Sequence, residues 1–159
     1  MRLWSALYAT IWLVLVEFLL AMIPILPPYL VDLHILLGVL IVFIAYRNFD
    51  HLRATRVPGR IKRTAQATFY LTILMLVLGS FLVVNLGAGW VIPLLGVSIY
   101  HAILFVHIVN AFAIITQAAA AAIGYDMWED HEFDRESAPG EVPPPPAIAP
   151  PVAIPTLRP

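Results

Sequence analysis

The chain has 159 residues, 61% hydrophobic and 12% charged, with a net charge of −1 and no cysteine. That is too apolar for a water-soluble domain of this length. The missing cysteine excludes disulfides, thiolate metal sites, iron–sulfur clusters and covalent c-type haem attachment, leaving histidine and carboxylate as the strong ligands.

A membrane-crossing helix needs about 20 mostly apolar residues, and four segments qualify. The first runs over about 3–23 and stops before Pro24, Pro27 and Pro28. A single arginine precedes it, its apolar run is too long for a signal peptide, and no A-x-A-like site closes it, so it reads as a retained helix. The second covers about 28–47, the third about 64–86 and the fourth about 94–125. The short connections at 24–30 and 87–93 make neighbouring helices antiparallel. The expected architecture is all-α: an integral membrane, up-down-up-down four-helix bundle over residues 1–125.

Orientation is read from "RNFDHLRATRVPGRIKR" at 47–63, where Arg47, Arg53, Arg56, Arg60, Lys62 and Arg63 stand against Asp50 alone. The positive-inside rule places this loop in the cytoplasm, and both termini with it, in a multi-pass protein of the cell membrane. A nucleic-acid role for the basic run is the weaker alternative, and no nucleic-acid partner is expected. From 126 the chain turns acidic ("DMWEDHEFDRE") and then proline-rich ("SAPGEVPPPPAIAPPVAIPTLRP"). Residues 126–159 read as a disordered or polyproline-II cytoplasmic tail, able to meet a partner.

Ionisable groups inside a membrane cost about 2.5–3.5 kcal/mol each on insertion scales and mark function by default. Here they are Glu17, His34 and His107, with Asp32 and His101 nearer the edge. Counted from the cytoplasmic boundary, Glu17, His34 and His107 all fall roughly 20–22 Å up their helices. At about 100° per residue, His107 shares a face with Asn110 and Gln117, whereas His101 points roughly 120° away. A polar stripe on a spanning helix faces the bundle interior, so His107 is the better inward candidate and His101 the alternate.

Both histidines carry a small residue one turn on: "HILLG" at 34–38 and "HIVNA" at 107–111. Residues four apart share a helix face, so Gly38 and Ala111 would let a flat macrocycle lie close to each backbone. Two level histidines on different helices can ligate one haem iron from both sides. The bland reading is that each histidine only bridges helices by hydrogen bonding. Glu17 admits three roles: orienting a ligating histidine, relaying protons, or ligating a non-haem metal.

At these residues the chain resembles the four-helix half of the haem A synthases, over about 1–125. That family holds haem with a histidine in the outer part of helix two and another on helix four, matched here by His34 and His107. The family usually has a glutamate three before the first of these and an arginine just after it, where this chain has Val31 and Ile35. At the same coarse level the chain is similar to small b-type cytochrome subunits that exchange electrons with quinone. The resemblance implies haem b, or haem O or A, and a homo- or hetero-oligomer. It also implies either electron transfer in a respiratory complex or an oxidoreductase that modifies haem. A cofactor-free accessory or assembly subunit is the alternative, and a transporter a third, disfavoured by the thin pathway four helices leave and the lack of broken-helix signals.

Overall fold

The structure, a computed structural model, describes residues 3–23 and 27–137. Its order is α1 (Leu3–Ala21), α2 (Pro28–Ala54), α3 (Gly59–Val83), β1 (Val91–Ile92), β2 (Val97–Ser98) and α4 (Ile99–Ser137). All four helices are long and apolar enough to cross a membrane, and the chain is a multi-pass membrane protein. Each helix packs against two neighbours, α1 on α2, α2 on α3, α3 on α4 and α4 back on α1. The result is a closed ring of four with α1 opposite α3 and α2 opposite α4.

The helices meet the expected spans at their centres and depart from them at their ends. α2 continues to Ala54, past Arg47, because nothing in the sequence stops it there. It ends where Thr55 turns extended and its hydroxyl donates back to Leu52 O at 2.8 Å. Lys62 of α3 then donates to the carbonyls of Arg53 and Thr55 at 3.2 and 2.7 Å. The terminal acceptors of α2 are thus capped by the next helix. Pro58 precedes α3, which starts at Gly59 rather than 64. At its far end Asn85 adopts φ 52°, with bonds from Asn85 N to Leu82 O and from Leu86 N to Phe81 O. That is a Schellman ending with asparagine in the left-handed position, and it closes α3 at Val83 rather than 86.

Residues 91–98 form a small antiparallel hairpin, pairing Val91 with Ser98 and Ile92 with Val97, which the sequence reading did not foresee. The turn at Pro93–Gly96 keeps α4 from starting at 94. α4 starts at Ile99 instead, with Ser98 Oγ accepting the His101 backbone N–H. It then runs 39 residues to Ser137, about 58 Å at 1.5 Å per residue. Residues 126–137, expected as the start of a tail, are therefore helical. The proline-rich stretch from 138 onward lies outside the described residues.

The packed core lies toward the α2–α3 loop. One cluster joins Leu7, Leu52, Val57, Ile61, Ala65, Ala121 and Ala122, with Tyr125 and Trp128 against it. A second, next along the bundle axis, joins Val14, Ile41 and Ile114. Lipid tails are as apolar as leucine, so close approach rather than the hydrophobic effect holds such helices together. Ala121 and Ala122 are 1% and 0% exposed, and a Cβ on Gly124 would meet Ile61 at 3.3 Å.

Buried hydroxyls bond within their own helices, Thr10 to Ala6 O and Thr68 to Thr64 O, each at 3.0 Å. Asn48 ties α2 to α1 through Thr10 Oγ1 at 2.9 Å and Ala6 O at 3.1 Å. Its Oδ1 has no protein partner among the described residues. Beside it lies a cavity of about 10 Å³ lined by Thr10, Ala45, Ala65, Thr68 and Ala118, the size of one water.

The close α3–α4 seam makes Ala121→Leu destabilising by about 1–3 kcal/mol through overpacking. Ala120→Leu, on the exposed side, changes stability little. Detergent unfolding followed by circular dichroism separates the two.

Candidate functional site

Each helix buries one stripe at three- and four-residue spacing. On α1 it is Leu7, Thr10, Val14 and Glu17; on α2, Ile41, Ala45, Asn48 and Leu52; on α3, Ile61, Ala65, Thr68 and Thr72. On α4 the buried residues are Asn110, Ala111, Ile114, Ala118, Ala121 and Ala122. Continued toward the hairpin end at the same period, these stripes reach Glu17, Gly38 and His34, Gly79, and His107. One inward position from each helix therefore converges just beyond the Val14–Ile41–Ile114 layer.

The contacts bear out this placement. His34 Nδ1 of α2 is paired directly with the carboxylate of Glu17 on α1. Glu17 is 7% exposed, and its Oε1 has no protein partner among the described residues. On the far side of the ring, the His107 imidazole lies along α3 at Gly79, where an added Cβ would sit 3.4 Å from its Cε1. His107 Nδ1 is buried without a protein partner among the described residues. Asn110, one turn along from His107, is inward as the helical wheel requires and donates to Leu71 O at 2.9 Å.

His101 stands elsewhere. It is exposed at the start of α4, its Nδ1 2.7 Å from Ser98 Oγ, where it takes part in capping the helix rather than in the interior. The two small residues also differ. Nothing lies within 4 Å of a Cβ built on Gly38, whereas Ala111 is 7% exposed and packed into the bundle. Only the helix-two histidine is followed by open space.

The donors that the site brings together are two histidines and one carboxylate, on three helices. No group of three or more His, Cys, Asp or Glu side chains is placed to hold a metal among the described residues, which leaves a Glu/His non-haem site without its ligands. A haem iron needs only two axial donors, and α2 and α4 are opposite members of the ring. Beyond Glu17, His34 and His107, toward the hairpin, no residue of the four spans is fully buried among the described residues. With Nδ1 of His34 held by Glu17, its Nε2 is the nitrogen left to coordinate.

From sequence, Gly79, Ser80 and Asn85 of helix three could line either the site or a dimer face, and the structure sets Gly79 against His107. The signal was the α3 stripe itself, whose spacing from Thr72 reaches Gly79 in two further steps. Gly79→Val drives a branched side chain into the His107 ring and costs about 1–3 kcal/mol, while Gly38→Ala enters open space and is tolerated. Thermal denaturation of the two variants in one detergent measures the difference.

No family model, curated protein or solved structure matches this chain. What the site can do follows from its own residues.

Proposed function

We propose that the protein binds a b-type haem between His34 and His107 and serves in membrane electron transfer. The carrying observation is that these histidines sit on the inward stripes of opposite helices of the ring, one paired with Glu17 and the other with a buried nitrogen that lacks a protein partner among the described residues. In this reading His34 and His107 are the axial ligands. Glu17 holds the His34 ring in one tautomer and raises its basicity, the usual role of a carboxylate behind a ligating histidine. Haem supplies a one-electron couple inside hydrocarbon. The chain supplies ligands, orientation and an apolar wall, with Val14, Ile41 and Ile114 separating the site from the α2–α3 loop end.

If both histidines held the haem, no face would be left open to substrate, which favours electron transfer over haem A synthase-like modification. Quinone or a respiratory complex fits as redox partner, within a homo- or hetero-oligomer. The basic α2–α3 loop favours a cytoplasmic location for that end and for both termini, in a cell membrane.

One observation favours a second reading. Glu17 and His34 already pair with each other, as a simple bridge between α1 and α2 would. On that reading the chain is a cofactor-free accessory or assembly subunit, and the helical extension of α4 past Tyr125 meets its partner.

Optical spectroscopy of the detergent-purified protein separates the two. A Soret band with sharp α and β bands on dithionite reduction is expected, lost in His34→Ala and in His107→Ala. Glu17→Gln keeps the bands and raises the midpoint potential, because a negative charge behind the ligand is removed. A wild type that stays colourless after expression with added haem, with His34→Ala merely less stable, rejects the cofactor and leaves the accessory subunit.

A further inference from the structure

From Thr64 to Tyr125 the sequence holds no aspartate, glutamate, lysine or arginine. That run covers the spanning parts of α3 and α4, and also the whole connection between them. A loop standing in water would be expected to expose charged side chains. This one exposes Trp90 (73%), Val91 (59%), Leu94 (92%) and Leu95 (66%).

The depth of the hairpin follows from the helix that delivers it. Thr64 is the first residue of α3 after the basic cluster. The 20 residues from Thr64 to Val83 rise about 30 Å, the thickness of the hydrocarbon core. α3 therefore ends at the opposite boundary. The base of the hairpin is fixed to α4 there. Ile99 N–H donates to Trp90 O at 2.8 Å, and Gly87 (φ 73°) lies so close to Ile99 that a Cβ would fall 2.6 Å from Ile99 Cβ. The tip, Pro93–Gly96, is not packed on the helices. At the same end Tyr29, beside the start of α2, is 69% exposed. Tryptophan and tyrosine concentrate at the two membrane–water interfaces.

We infer that residues 90–98 are an interfacial anchor. The hairpin lies in the leaflet at its own end of the bundle, with Leu94 and Leu95 among the acyl chains and the Trp90 indole at headgroup level. Its partner is the lipid surface itself. Continuity with two spanning helices, the charge-free run and the matching position of Tyr29 all point to lipid. The inference is independent of whether haem is bound.

The chain has no cysteine, so single labelling sites can be introduced cleanly. Leu94→Cys and, separately, Leu95→Cys carry a nitroxide in the full chain reconstituted into phosphatidylcholine–phosphatidylglycerol vesicles. Leu36→Cys on the lipid face of α2 and Glu132→Cys on the exposed end of α4 are the references, both positions being exposed. Power-saturation electron paramagnetic resonance then compares collisions with oxygen, which concentrates in hydrocarbon, and with a water-soluble nickel chelate. Oxygen collisions at Leu94 and Leu95 exceeding those of the chelate several-fold, as at Leu36, is the expected result. Chelate access matching Glu132 would put the hairpin in water and overturn the inference. Labels shielded from both quenchers would overturn it too, in favour of a second copy of the chain covering the tip.

Discussion

A helix in hydrocarbon has no water to complete its hydrogen bonds and no hydrophobic force to press it against its neighbours. Both facts shape this protein. Threonines return their hydroxyls to their own helices, and Asn48 and Asn110 reach across to the next one. Alanines on α2, α3 and α4 let the backbones close up. This contact is concentrated toward the α2–α3 loop, where Leu52 and Ala122 have no exposed surface. Everything at the other end depends on it, because the packed half sets the rotation of each helix. That rotation brings Glu17, His34, Gly79 and His107 onto the inner face.

The site is not symmetric in how its polar groups are satisfied. Glu17 and His34 compensate each other across α1 and α2. An isolated carboxylate there would carry the full desolvation penalty or take up a proton. His107 has an aromatic edge against Gly79 and a buried nitrogen without a protein partner among the described residues. One histidine is thus supported from behind by a carboxylate, and the other by the shape of the neighbouring backbone. If the two act on one ligand, they present it with unlike chemical environments on its two faces.

The spans were legible in the sequence because bilayer thickness dictates a minimum apolar length. Their ends were not. α2 ends under Lys62 of the next helix, and α3 ends in its own left-handed turn at Asn85, neither of which a hydropathy profile registers. α4 starts late because a hairpin precedes it. It continues past Tyr125 because "DMWEDHEFDRE" is charged but not helix-breaking. The common level of Glu17, His34 and His107 could be counted, since rise per residue is nearly constant. Which of them touch could not, because contact depends on the order of helices round the ring. Gly79 could be named but not assigned to the site or to a dimer face, for a simpler reason: glycine is ordinary in apolar helices, and only a neighbour's side chain gives it meaning.

The unequal packing of the two ends bears on how such a protein is assembled. The cluster around Leu52, Ile61 and Ala121 draws on all four helices and needs no group from outside the chain. A bundle clamped there can complete its topology straight after insertion. If a group from outside the chain is added, as proposed above, its arrival follows folding instead of driving it.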